Sequence, residues 1–194
     1  MKKNILIILC LFAFESCNNV EKISLTKLEG SPDYNEAKLT LNDFNENDNN
    51  EFDFEVENYE LGIQTENEFK FKLANSAKGQ HIHFIVNNGP YSAHYTNNFK
   101  KKLNKDNNVI LAFLSRSYHE SVKNPNAFIL TQIGENKIDL NKEFLFYSRP
   151  KGIYKGKDTE KLLLDFYLIN TTISPNGNKV KATINDAEFI ITEW

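Results

Sequence analysis

The feature that most limits how this chain can fold is its period. Ala37, Leu39 and Leu41 alternate with Lys38, Thr40 and Asn42. Phe52, Phe54 and Val56 alternate with Asp53, Glu55 and Glu57, and Phe69, Phe71 and Leu73 alternate with Lys70 and Lys72. Successive side chains of a strand point to opposite faces, so each pattern sends one residue into a core and the next into water. Residues 80–87, 108–115, 127–133, 144–148, 162–169, 179–185 and 188–193 read as further strands. The run 109–114 is apolar without a break, which predicts a strand covered on both faces. Asn87-Asn88-Gly89-Pro90, Asn124-Pro125-Asn126 and Ser174-Pro175-Asn176-Gly177 are strong turn signals between them. Helical signals amount to one turn within 97–103 and one within 117–123. The expected fold is all-β: an antiparallel sandwich, immunoglobulin-like or jelly-roll-like, with a closed barrel as the alternative.

The N-terminus predicts where the protein works. Lys2 and Lys3 precede an apolar run over 5–14, and Ser16 then stands before Cys17. Residues 1–16 read as a secretory signal, and a cysteine placed directly behind one is a lipid acceptor in bacterial lipoproteins. Glu15 departs from the small or neutral residue usual two places before such a cysteine, and a secreted protein without the lipid is the alternative. The apolar run falls short of the roughly 20 residues of a membrane-spanning helix. Several acyl chains on Cys17 would anchor the protein stably, and Asn18 and Asn19 favour the outer membrane. Residues 17–30 are expected as anchor and tether, with a first strand starting around Ile23, Leu25 and Leu28. Residues 31–194 form the sandwich domain. The last stretch, Ile190 to Trp194, reads either as a closing strand or as a domain cut short.

Composition narrows the function. Removing Lys2, Lys3 and Glu15 from 23 basic and 26 acidic residues leaves 21 and 25, a net charge of −4. That mild acidity argues against a nucleic-acid partner, which calls for a basic face. Cys10 leaves with the signal, so Cys17 is the sole cysteine of the mature part and no internal disulfide supports the fold. Stability must come from the apolar core, and fifteen Phe and eight Tyr supply bulk for it.

All four histidines fall between 81 and 119. In Gln80-His81-Ile82-His83-Phe84-Ile85-Val86 the even-numbered residues point to the core, which puts His81 and His83 together on the other, water-facing side, about 7 Å apart. His94 follows the Gly89-Pro90 turn, and His119 follows Ser115-Arg116-Ser117-Tyr118. Two same-face imidazoles joined by others from loops suit zinc or copper. The metal set read this way is His81, His83 and His94. The alternative is that the histidines bond to backbone or line a polar groove. The two arginines of the chain, Arg116 and Arg149, stand in matching Ser-Arg settings after apolar strands. Guanidinium forks grip carboxylate or phosphate at two points, and Lys78, Lys151 and Lys155 would extend such a pocket. The competing reading pairs each arginine with a local acid such as Glu120 or Asp165.

Catalytic patterns are weak. Ser115, Ser117 and His119 occur without a GxSxG elbow, and the acids of 43–60 lie on the solvent side of their alternation and lack the spacing of a calcium loop. The chain is read as a non-enzyme.

Four strings carry a resemblance: Lys78-Gly79-Gln80-His81-Ile82-His83, Asn88-Gly89-Pro90-Tyr91-Ser92-Ala93-His94-Tyr95, Phe113-Leu114-Ser115-Arg116-Ser117-Tyr118-His119-Glu120-Ser121, and Phe146-Tyr147-Ser148-Arg149-Pro150-Lys151-Gly152. In order, over about 30–194, they resemble a family of uncharacterised lipoproteins of Bacteroidetes-type bacteria, commonly labelled phosphopeptide-binding. That label implies a kinship with forkhead-associated domains, which read phosphothreonine with an arginine, a Ser-x-x-His element and an Asn-Gly turn. Here Ser115 to His119 is one residue longer than that element and Ser117 to His119 one shorter, while Asn176-Gly177 supplies the turn. The resemblance also implies a natural chain that continues beyond Trp194.

The function expected from sequence is therefore a lipid-anchored, outer-membrane binding protein. Its ligand would be anionic, a phosphorylated or acidic peptide or a glycan, held in a groove of His81, His83, His94, Arg116, His119 and Arg149. Two alternatives stand beside it: a zinc or copper protein, or a structural partner in an outer-membrane assembly.

Overall fold

The computed structural model describes residues 23–45, 50–66, 70–104, 106–135 and 137–194. The signal segment, Cys17 and the start of the tether lie outside the described residues. Among the described residues eleven strands form: β1 Lys38–Asn45, β2 Glu51–Glu57, β3 His81–Val86, β4 Ser92–His94, β5 Asn98–Lys100, β6 Asn107–Ser115, β7 Phe128–Gly134, β8 Phe144–Arg149, β9 Asp165–Ile169, β10 Val180–Ile184 and β11 Ala187–Ile191. Every strand pairing is antiparallel. The sheets are open, ordered β1-β2-β5, β4-β3-β6-β7, β8-β9 and β10-β11. The fold is all-β and sandwich-like, with no closed barrel among the described residues. No described helix is long and apolar enough to cross a membrane.

The four-stranded sheet is the middle layer, and its pleat explains the packing. Ile82 and Phe84 of β3, with Ile110, Ala112 and Leu114 of β6, face the β1-β2-β5 sheet and share a core with Leu39, Phe52 and Phe54. Ile85, Val109, Leu111 and Phe113 face the other way, against Phe146, Tyr167 and Ile169 of β8-β9. The unbroken apolar run in β6 is thus buried on both faces, as its composition predicts. Burying a Phe contributes about 1.5–3 kcal/mol. Phe52, Phe54, Phe84 and Phe99 meet one another with centroids 4.9 to 6.4 Å apart.

Several local expectations change. Residues 97–103 do not form a helical turn. β5 pairs with β2 instead, because this places Phe99 against Phe52 and Phe54. Residues 70–73 form a turn rather than a strand: Lys72 has φ of +55°, which ends an extended run, and Phe71 packs on Tyr118 with centroids 4.9 Å apart. Residues 23–34 make no strand. They run past the 116–121 loop, where Tyr118 Oη donates to Ser31 Oγ at 2.9 Å. Residues 117–123 close a tight turn through Arg116 N–H to the Glu120 carbonyl and His119 N–H to the Arg116 carbonyl.

Candidate metal centre

His81 and His83 share one face of β3, as their spacing requires, but that face is not wet. Both are fully buried. The loop after β6 and the end of β8 cover them, bringing in His119, Ser148 and Arg149. His119 sits at φ of +71°, a left-handed backbone that costs a non-glycine residue about 1–3 kcal/mol. That conformation turns its ring back over β3.

The three imidazoles converge. His81 Nε2 lies 2.9 Å from His83 Nε2 and 3.1 Å from His119 Nδ1. All three ligand atoms fall within 4.8 Å of one another. A tetrahedral ion at 2.0–2.1 Å from each nitrogen sets its ligands about 3.3 Å apart. The 2.9 and 3.1 Å separations are close to that value, while the third, at up to 4.8 Å, must close by as much as about 1.5 Å to hold one.

The groups behind the rings set their tautomers. His81 Nδ1 lies 2.8 Å from the Gly79 carbonyl. A carbonyl only accepts, so Nδ1 carries the proton and Nε2 presents its lone pair to the centre. His83 Nδ1 lies 3.2 Å from Ser148 Oγ, which can accept its proton when Nε2 turns ligand. Backbone carbonyls and hydroxyls in this position are the usual orienters of metal-bound imidazoles. Gly79 is required where it stands: its φ is +83°, and a Cβ there would come within 2.3 Å of the Ile63 carbonyl oxygen.

Electrostatics keep the rings neutral. Burial lowers His81 to about 4, and the Arg149 charge pushes the same way. Burial drives His83 well below its usual value, with His81, His119, Arg149 and Lys151 adding to the effect. Burial also lowers His119, to about 2, helped first by Arg149. Neutral imidazole is the ligand form. Tyr91 stacks on His83 with centroids 3.7 Å apart and places its hydroxyl 3.4 Å from His119 Nδ1. Burial raises that phenol to about 12.

The six residues expected to line one groove do not gather. His81, His83, His119 and Arg149 belong to one neighbourhood. His94 is opposite Ile82 in register, on the other face of the sheet, where it stacks on Phe99 at 3.4 Å and contacts Phe84. Of the three histidines read from sequence as a metal set, His81 and His83 converge and His94 does not; the third imidazole beside them is His119. Arg116 is also withdrawn from the groove. Its Nε and Nη2 donate to the Pro32 carbonyl, its Nη1 donates to the Ser121 carbonyl at 2.9 Å, and Glu120 lies 3.4 Å away. It fixes the 116–121 loop that carries His119. Two surface clefts, of about 300 and 510 Å³, include none of the six residues.

Sequence reasoning passed over Ser148 and Tyr91. Ser148 reaches the site through a bulge in β8, where the register slips between Tyr147 and Arg149. The bulge turns both Ser148 and Arg149 inward, in place of strict alternation. Only the Ser-Arg-Pro string hinted at it.

Fold and centre together define a class: an all-β protein with a buried three-imidazole cluster beside a guanidinium. No protein-family model, curated protein or solved structure matches the chain.

Proposed function

We propose that this protein is a lipid-anchored cell-envelope protein that binds one zinc or copper ion through His81 Nε2, His83 Nε2 and His119 Nδ1. The observation that carries the reading is the convergence of these three nitrogens, with Gly79 and Ser148 positioned to fix the rings behind them. Imidazole suits zinc and copper, and three protein ligands leave a coordination position open. The cell-envelope assignment is supported by the Lys2-Lys3 start, the apolar run and Cys17. The role assigned is binding.

The test is calorimetric titration of zinc(II) and of copper(II) into the full chain, purified without a polyhistidine tag and stripped with chelator. One ion per chain is expected. His83→Ala and His119→Ala should each abolish tight binding, while His94→Gln leaves it unchanged. Absence of stoichiometric binding, or binding that survives both alanine variants, overturns the reading.

A further inference from the structure

The two arginines look alike in sequence and differ completely in their surroundings. Arg116 is 5% exposed, and each of its three nitrogens donates a hydrogen bond. Arg149 is equally buried, at 6%. Among the described residues its side chain makes one long hydrogen bond, Nη1 to the Lys151 carbonyl at 3.4 Å, and its Nε has no partner. It has no carboxylate within ion-pair distance among the described residues. Asp165 is its register partner on β9; Asp165 Oδ1 takes hydrogen bonds from Ser121 and Lys123, and Oδ2 is buried without a hydrogen-bond partner but lies beyond ion-pair distance of the guanidinium. A guanidinium carries five N–H donors, and a buried charge without a partner is costly. Tyr91 and Tyr154 flank this one at 5.9 and 5.8 Å, holding it in place without neutralising it.

Arg149 is also part of the metal neighbourhood. Tyr91 touches all three groups: its ring stacks on His83, and Arg149 Cζ and Lys151 Nζ lie 5.9 and 4.1 Å from its centroid. A divalent ion on the three imidazoles would place two more positive charges beside Arg149 and Lys151. In a site shielded from water that repulsion is only weakly screened, and water at the open position would not cancel it. An anion there would.

Building on the metal reading above, we infer that the open coordination position takes a small oxyanion, a carboxylate or phosphate group. One of its oxygens binds the metal, and another accepts hydrogen bonds from the Arg149 guanidinium. Lys151 supplies the remaining positive charge at the mouth of the site. The Tyr91 hydroxyl, 3.4 Å from His119 Nδ1, stands ready to donate to the same group. Guanidinium is suited to two-point contact with such a ligand.

The test uses the full chain loaded with cobalt(II), whose visible absorption reports coordination directly. Acetate and inorganic phosphate are titrated separately, to tell a carboxylate ligand from a phosphate. At least one should shift the cobalt bands with saturation. Arg149→Gln should raise the anion concentration at half-effect at least tenfold, with cobalt affinity changed less than threefold. Lys151→Met, at an exposed position, should raise it a few-fold without disturbing the fold, and covers the case in which Arg149→Gln does not fold. If cobalt binds and neither anion moves its spectrum, the inference falls while the metal reading stands. The inference also falls if the midpoint is the same in wild type and both variants. If neither cobalt, zinc nor copper binds, both readings fall together.

Discussion

The two faces of β3 differ in what they bury. Towards β1-β2-β5 stand Ile82 and Phe84, wrapped in Phe52, Phe54 and Phe99. Towards β8-β9 stand His81 and His83, equally inaccessible to water, beside Ile85. The first face gains stability from every residue it hides. The second hides polar rings that must be satisfied one atom at a time by Gly79, Ser148 and each other. A strand that alternates stabilising and polar burial within six residues separates two tasks cleanly. One face holds the sheet together, and the other carries the imidazoles of the proposed metal centre.

The sharpest way to break this comparison is to cut into each face. Phe84→Ala should cost about 3–5 kcal/mol of unfolding free energy, the range for a fully buried Phe, read from the midpoint of urea denaturation. It should leave metal stoichiometry intact in whatever fraction remains folded. His83→Phe is the mirror experiment. The ring it replaces packs against Tyr91 and Phe113, so the aromatic contacts persist, while the larger ring and the lost partners of Ser148 and His81 should cost about 1–3 kcal/mol of metal-free stability as metal binding disappears. If His83→Phe unfolds the protein as badly as Phe84→Ala, the two faces are not separate in function.

Gly79→Ala tests the link between backbone and site. The left-handed φ and the contact with the Ile63 carbonyl together should cost about 2–3 kcal/mol. The same change displaces the acceptor that aims His81. Metal affinity should therefore fall more than in a control of equal instability elsewhere in the fold. Ser148→Ala removes the other orienter. It should lower metal affinity about tenfold by calorimetry, with little change in the denaturation midpoint.

Alternation made the apolar half of this structure legible and obscured the polar half. Period two placed Phe52, Phe54, Ile82 and Phe84 correctly because water is excluded from one side of every strand. It also put His81 and His83 correctly on a common face. It could not reveal that this face is covered, because the cover comes from residues 115–121 and 148–151, whose approach depends on a bulge and a left-handed turn. His94 was misplaced for a related reason. Its strand, β4, is three residues long, too short for a pattern to fix its face. Arg116 and Arg149 were indistinguishable as strings, since their difference lies in who reaches them: Pro32 and Glu120 reach the first, and no acid among the described residues reaches the second. The helical turn expected over 97–103 failed because a single Phe99 outweighed local propensity.

The smallest effect concerns the imidazole on the apolar face. Burial lowers His94 to about 4, Lys101 and His81 push the same way, and its Nε2 meets Ser92 Oγ at 2.9 Å. Above pH 6.5 the ring is neutral whether the chain is folded or not, so it contributes no pH dependence. As pH falls below 6.5 the unfolded chain takes up a proton that the folded chain refuses, and stability is lost until pH reaches about 4. The ring is only half-buried, so screening by solvent reduces the loss to about 1–2 kcal/mol. Comparing wild type with His94→Gln by urea denaturation at pH 7, 5.5 and 4 isolates this contribution from those of His81, His83 and His119, which both proteins share. The two curves should run parallel down to about pH 6.5 and converge or cross below it. Parallel curves down to pH 4 would mean that His94 is protonated as readily in the folded protein as in the unfolded one, and that the aromatic face is wetter than its packing implies.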